Sequence, residues 1–256
     1  KLDNEIISIA KSLNRFLAKD IRSRINLPPF NNSAVDGYAL LKKDIIKKNI
    51  KLTIQTRITA GDKKIKKLSN GNVARIFTGA RMPLNSNTVI MQENVERQNN
   101  IILIKKTPVI GENCRLTGED IAKGKKIFSR GEVISSKNIN LLAAIGKKNI
   151  LVKERIRVGF YTSGNELKKP TENLKGSEIN NSNYFSLKIL LDEDFIKSKY
   201  LGILKDSKPL IKKSFLKNIS SFDVIITTGG ASVGEEDHIV SIMQELGNIV
   251  FWKTAI

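Results

Sequence analysis

The residues with the most evident chemistry lie together in Thr227-Thr228-Gly229-Gly230-Ala231-Ser232-Val233-Gly234-Glu235-Glu236-Asp237. The apolar run Val224-Ile225-Ile226 leads in, and a stretch with helical spacing follows. Between a strand and a helix, such a turn brings free N–H groups to an anion, because glycine removes the side chains that would hold it off. Gly229, Gly230, Ser232 and Gly234 are therefore candidate ligand-binding residues, with Asp237 beside them. A tight turn ahead of an acidic helix start would read the same way. Thr162-Ser163-Gly164-Asn165-Glu166 repeats the combination of hydroxyls, glycine and an acid, and Asp206 ends a third apolar run. In a parallel sheet these ends share one edge, where open α/β sheets bind ligands. Glu166, Asp206 and Asp237 would then converge, and carboxylates beside an anion suit a hard cation such as Mg²⁺. Taken singly, Asp206 reads equally well as a helix cap and Glu166 as a solvated loop charge.

Four other segments carry weaker signals. In Gly176–Asn183, Ser182 and Asn183 can bind a polar edge of a ligand or simply start a helix. Leu27–Ala39 joins Pro28-Pro29 to the polar run Asn31-Asn32-Ser33 and to Asp36-Gly37, with aromatics close by. Proline blocks regular structure and Asp-Gly is turn chemistry, so a polar loop with Asn32, Ser33 and Asp36 as candidates is expected. Arg75–Ala80 reads as a strand running into a small-residue turn at Thr78, and Gly111–Ile121 packs Arg115, Glu119 and Asp120 between glycines. Each could equally be a structural turn with solvated charges. Cys114 and His238, the only cysteine and the only histidine, have no motif for nucleophilic catalysis and are too few for a zinc cage.

The elements that must position these residues fall into two patterns. From Ile156 onward, strands at 156–161, 200–204, 223–228 and 248–252 alternate with helices. Ser182 would cap the first helix, Asp206 or Ser207 the second with Pro209 in its first turn, and the third would span 237–246 and stop at Gly247. Alternation of this kind predicts a doubly wound, mostly parallel α/β domain over 154–256, with 224–226 buried on both faces. The stretch 47–111 reads instead as a β-rich module, with strands near 52–58, 72–77, 88–92 and 101–104 and a hairpin turn at Gln98-Asn99-Asn100. It interrupts a mixed N-terminal domain, 1–46 and 112–153, with short helices near 10–15 and 139–145, the latter stopped by Gly146. The fold class is thus α/β and multidomain.

Composition narrows the function classes. The 256 residues are 40% hydrophobic, ordinary for a chain with a buried core. No apolar run nears the roughly 18 residues of a membrane-spanning helix, and no signal-peptide pattern opens the sequence. No membrane partner is expected. A single cysteine excludes an intrachain disulfide and suits the cytoplasm. The formal net charge is +19. The lysines are scattered in pairs such as Lys42-Lys43, Lys105-Lys106 and Lys212-Lys213, so they describe a solvated surface, not a specific nucleic-acid site.

In this order, the segments resemble the molybdopterin molybdenumtransferase family of molybdenum cofactor biosynthesis, which includes the E domain of gephyrin. The resemblance runs from Glu5 through Leu13–Ile21, Pro28–Ala39, Arg75–Glu93, Gly111–Ile121, Thr162–Leu167, Gly176–Asn183 and Gly229–Asp237 to Phe251–Ile256. It implies a transferase that inserts molybdate into adenylylated molybdopterin and releases AMP. It also implies a divalent cation and a homodimer that shares its site between subunits, with the mixed domain as linker and dimerisation element. Asp36, Thr78, Asp120, Glu166, Asp206 and Asp237 match family functional positions. On that resemblance Gly229, Gly230, Ser232 and Gly234 would hold the pterin's terminal phosphate, and Thr162, Ser163 and Gly164 would add donors. Glu166, Asp206 and Asp237 would hold metal and water, and Asp36 and Asp120 would position molybdate's partners or the nucleotide. The family usually has Asp where this chain has Asn31 and Asn165, and Gly where it has Asn14; its α/β domain continues past the position of Ile256. Asn31 and Asn165 keep open a molybdopterin-binding scaffold with a degenerate site. Domains that adenylylate molybdopterin match only the part after about Ile156.

Overall fold

The computed structural model describes residues 2–45, 51–64, 67–229 and 238–250. They divide into two compact units, one formed by Lys1–Lys19, Arg130–Asn140 and Lys147–Ile256, the other by Asp20–Ser129 and Leu141–Gly146.

The second unit is organised by a six-stranded sheet in the order Thr88–Met91, Gly37–Leu40, Asn72–Ile76, Lys51–Ile58, Ile101–Ile104, Val95–Gln98. All its pairings are antiparallel except that of Lys51–Ile58 with Asn72–Ile76. The period-2 rule divides its side chains between two cores. Ala39, Ala74, Ile76 and Val89 pack on one side, and Tyr38, Leu40, Val73 and Ile90 on the other. The hairpin turn at 98–100 forms, with Asn99 in the left-handed conformation at φ 54°. Gly37 departs from expectation. Instead of serving a turn, it opens a wholly buried strand beside Ile76 and Met91. Its missing side chain answers a close approach: a Cβ there would lie 2.0 Å from the Ile90 carbonyl oxygen.

In the first unit, Asn4–Ser8 pairs antiparallel with Asn149–Lys153. No helix forms over 10–15; a single 3-10 turn spans Ile9–Lys11. Asn14 takes φ 56°, which ends any helical run and explains glycine as the residue the resemblance expects there. Arg15 then turns inward, 4% exposed, onto the Glu5 carboxylate and the Lys153 carbonyl. The second expected helix forms over Ser136–Ala144, beginning in this unit and ending, from Leu141, in the other, and Gly146 follows it at φ 75°.

The rest of this unit is a parallel sheet in the order Ile196–Leu204, Ile156–Ser163, Val224–Thr228. Val158 and Phe160 face Tyr184, Leu187 and Leu191 of helix Ser182–Leu190 and its C-terminal end. Tyr161 faces Ile211, Phe215, Ile239 and Ile242 of helices Lys208–Asn218 and His238–Leu246. Helices therefore cover both faces, as double winding requires. Local expectations are corrected at the first helix cap, at the third strand and at 248–250, and one is met at the second helix, whose N-cap is Ser207. Asn181, not Ser182, caps the first helix by accepting the Tyr184 N–H. The second begins after Ser207, which makes no side-chain cap bond, with Pro209 in the first turn. Val224-Ile225-Ile226 is not buried on both faces: among the described residues its strand is an edge, and Val224 is 44% exposed. Asn248–Val250 does not form a strand, and the remainder of 248–252 lies outside the described residues.

Arg157 donates to Asp223 from its backbone N–H at 2.8 Å and from its guanidinium at 2.8 and 3.1 Å. These bonds hold the Asp223 carboxyl down at about 2. A carboxyl depressed on folding stabilises the fold above its ordinary titration range and loses that contribution as pH falls toward 2. Asp223→Asn should therefore lower stability at neutral pH and narrow its gap to the parent below pH 4. Urea unfolding of both proteins between pH 2 and 7 checks this; a gap that stays constant with pH would refute it.

Candidate functional site

In the first unit, the described strand ends share one edge. Ser163 stands beside Leu204, and Thr162 beside Thr228, in parallel register. Gly164 donates its N–H to the Leu204 carbonyl at 3.1 Å. Both glycines of this edge need their freedom. Gly164 lies at φ 140°, where a Cβ would meet the Glu166 carboxylate at 2.5 Å. Gly229 lies at φ 79°, with the Ser163 carbonyl oxygen 3.1 Å from its absent Cβ. The first and third strands thus end against each other in bare backbone.

The acids are tied to the same turns. Asn165 donates its N–H to the Asp206 carboxylate at 3.0 Å, and Asp206 returns its own N–H to the Asn165 side-chain oxygen at 3.3 Å. Lys205 adds its ammonium to the Asn165 carbonyl at 3.3 Å. Asn165 therefore does here, as an amide, a job that only an acceptor can do. Glu166 is exposed, and its carbonyl accepts the Ile179 N–H at 2.9 Å. Asp237, Gly230, Ser232 and Gly234 lie outside the described residues. Among the described residues, no three His, Cys, Asp or Glu side chains converge as a metal site.

Thr162 is corrected. Its side chain is fully buried and bonded at 2.8 Å to both Tyr200 Oη and Asn181 Nδ2, so it frames the edge instead of offering a donor. Ser163 is half-buried at the edge, and Ser182 and Asn183 are exposed in the first turn of their helix. Sequence reasoning missed Asn181 and Tyr200. The signal for Asn181 was its place three residues before the Tyr184 N–H that it caps; nothing in sequence joins Tyr200 to Thr162.

In the second unit, three segments that are distant in sequence are joined. Asn32-Ser33 pairs antiparallel with Cys114-Arg115, and Asn32 also bridges to Arg81. Asp36 accepts the Thr78 N–H at 2.8 Å and the Thr78 hydroxyl at 2.7 Å. The backbone bond, then the hydroxyl, and also the nearby Arg75 charge hold the Asp36 carboxyl below its ordinary value. Asn31 accepts the same pair of bonds from Thr117, at 2.8 and 2.9 Å, so the amide replaces an acid without loss of this turn. Arg115 reaches Asp120 at 2.5 Å and Glu119 at 2.7 Å, with both acids partly exposed. Asn32 and Ser33 are corrected as ligand donors: they are 8% and 1% exposed, and the Ser33 hydroxyl is used on the Val35 carbonyl at 2.5 Å. Burial, with Glu119 nearby, raises the Cys114 thiol, which argues against a resident thiolate nucleophile. Arg75, unrecognised in sequence, stacks over Tyr38 and Phe77 and donates to the Gly37 carbonyl at 3.1 Å.

Comparison with known proteins adds the following. Residues 1–146 match the family model described as MoeA N-terminal region (domain I and II), and residues 159–256 match the probable molybdopterin binding domain. The chain is 33% identical over 253 residues to a molybdopterin molybdenumtransferase of Haemophilus influenzae, covering 98% of this chain and 62% of that protein. It is 32% identical over 249 residues to the enzyme of the same name from a Nostoc species, covering 96% and 57%. A crystal structure of the molybdopterin biosynthesis moeA protein from Pyrococcus horikosii superposes with a TM-score of 0.85 at 33% identity, over 96% of this chain and 63% of that one. The chain thus spans about three fifths of the length of these relatives. Among the described residues, no helix is long and apolar enough to cross a membrane.

Proposed function

The chain belongs to the MoeA family, and on that premise we propose that it forms the ligand-holding part of a molybdopterin molybdenumtransferase. The reaction is insertion of molybdate into adenylylated molybdopterin, with hydrolysis of the phosphoanhydride and release of AMP. The protein acts in the cytoplasm as a homodimer.

One observation carries this reading: the carboxyl edge of the parallel sheet, where Gly164 and Gly229 carry no side chains beside the tethered Asp206 carboxylate and the exposed Glu166. Bare backbone at strand ends admits a phosphate that side chains would exclude. Glu166 and Asp206 are hard oxygen donors on turns bonded to each other through Asn165, a donor set that fits Mg²⁺. Asp237 is the proposed third member. When bound, Mg²⁺ would supply charge neutralisation at the phosphoanhydride and a more acidic water. Asn165 fixes the Asp206 carboxylate by its N–H, and Lys205 adds positive charge at the same turn. Asp36 and Asp120, each held by a neighbouring donor, are proposed to position molybdate's partners or the nucleotide.

The full-length protein, supplied with adenylylated molybdopterin, should release AMP only when both molybdate and Mg²⁺ are present. Release that ignores molybdate would overturn the transferase reading. Tight pterin binding with no turnover would replace it with a binding scaffold.

A further inference from the structure

Within the second unit, one residue grips the chain beside both members of the Asp36–Thr78 pair. Arg75 donates from Nη1 to the Gly37 carbonyl at 3.1 Å and from Nη2 to the Gln92 side-chain oxygen at 2.5 Å. Gln92 in turn donates its backbone N–H to the Asp36 carbonyl at 3.1 Å. The same guanidinium lies 4.7 Å from the centre of the Phe77 ring and 5.1 Å from that of Tyr38. Gly37 follows Asp36 in the chain, and Phe77 precedes Thr78.

The sheet puts Arg75 in this place. It stands opposite Tyr38 in the antiparallel pairing and opposite Arg57 in the parallel one. Residues directly opposite on neighbouring strands share a face, so the guanidinium lies over Tyr38, which is buried. An arginine fork is planar, stays charged, and bonds two acceptors while it stacks on aromatic faces. A lysine can replace the charge but not the fork.

The clamp serves the acid more than the turn. Asn31 and Thr117 make the same two bonds with a neutral amide, so the turn itself requires no charge. At Asp36 both bonds from Thr78 end on Oδ1, and Oδ2 is the oxygen available to a ligand. With the Asp36 and Gly37 carbonyls tied to Gln92 and Arg75, and Thr78 fixed on Oδ1, that second oxygen keeps one position. The Thr78 backbone bond, then its hydroxyl, hold the carboxyl below its ordinary value, and the Arg75 charge adds to them.

We propose that Arg75 is a positioning residue of the transfer reaction: it acts through Asp36, whose carboxylate its guanidinium holds in a single orientation. The proposal rests on the reading of Asp36 as part of the site.

The full-length protein tests this with Arg75→Lys, Asp36→Asn and the double variant, assayed for molybdate-dependent AMP release. Misplacing a reacting group by about 1 Å costs up to roughly a hundredfold, so Arg75→Lys should lower kcat about tenfold, with KM little changed, well below its unfolding temperature. Coupling is the readout that a merely structural role would not give. Residues that act as a unit are not additive, so Arg75→Lys should cost about twofold at most when added to Asp36→Asn. Gln92→Ala is an exposed change that removes one acceptor of the fork, and it should lower kcat less, with the same coupling. It carries the test if Arg75→Lys does not fold. Arg57→Gln is the control: it removes a guanidinium 4.6 Å from the same Phe77 ring and should keep the parent rate. Full rates in Arg75→Lys and Gln92→Ala, multiplicative losses in the double variant, or an equal loss in Arg57→Gln would each overturn the proposal. Selective ¹⁵N-threonine labelling reads the pair without substrate, because the Thr78 amide should shift and exchange faster in Arg75→Lys. A parent without molybdate-dependent AMP release would overturn the transferase reading, and the Thr78 amide would then still report whether Arg75 orders Asp36. An unmoved Thr78 amide would overturn the proposal in either case.

Discussion

Gly37→Ala is expected to unfold the β-rich unit well below the unfolding temperature of the parent. The new Cβ would lie 2.0 Å from the Ile90 carbonyl oxygen, 2.9 Å from its carbon and 3.0 Å from Val89 Cγ1. Two of these are backbone atoms in a paired strand, so no rotamer change relieves them. Overpacking of a core costs about 1–3 kcal/mol and more where the backbone must shift; this substitution belongs at the upper end. The shift would also reach the candidate site, because Arg75 donates to the Gly37 carbonyl and the adjacent Asp36 holds Thr78. Gly79→Ala is the control. Its Cβ would meet nothing within 4 Å, so only the φ of 77° is strained. Left-handed backbone costs a side-chain-bearing residue roughly 1–2 kcal/mol. Thermal unfolding followed by far-ultraviolet circular dichroism separates the two. A Gly37→Ala protein as stable as Gly79→Ala would show that the strand can move aside.

Asp206→Asn is expected to lower molybdate-dependent AMP release by on the order of a hundredfold or more, the scale seen when one aimed electrostatic group is lost from an active site. The change keeps an oxygen that can accept the Asn165 N–H, so the 164–166 turn should survive and stability should move little. What disappears is the charge. Glu166→Gln should behave alike. If both acids serve one metal and one water, the double variant should lose little more than the worse single variant, since members of a unit are not additive. Multiplicative losses would mean separate roles. A full rate in Asp206→Asn, with unchanged Mg²⁺ dependence, would remove Asp206 from the proposed machinery and leave it a turn-holding residue.

Much of the architecture was legible in the sequence because local rules and tertiary need agreed. Strands expected at 156–161, 200–204 and 223–228 are found at Ile156–Ser163, Ile196–Leu204 and Val224–Thr228, and their alternation with helices predicted the parallel sheet. Where the reading failed, a long-range contact outvoted a local preference. Asp36-Gly37 has turn chemistry, yet Gly37 enters a strand because the Ile90 backbone lies against it. Residues 10–15 have helical composition, yet Asn14 turns left-handed and Arg15 is drawn onto Glu5 and the Lys153 carbonyl, 138 residues away.

The candidate site divides along the same line. The sequence by itself determined which groups are available: glycines that can adopt positive φ, acids after strand ends, and hydroxyls beside them. Those are properties of residue type and of near neighbours. Only the tertiary structure decided which of these groups are spent inside the fold. Thr162, Asn32 and Ser33 look like donors in sequence, but their side chains are buried and Thr162 and Ser33 have their hydroxyls engaged. A buried polar group must find a partner, and that partner is chosen by packing between segments far apart in the chain. The same packing joined Asp36 to Thr78 and Asn31 to Thr117, and set the Arg75 guanidinium on the Gly37 carbonyl, 38 residues back in the chain.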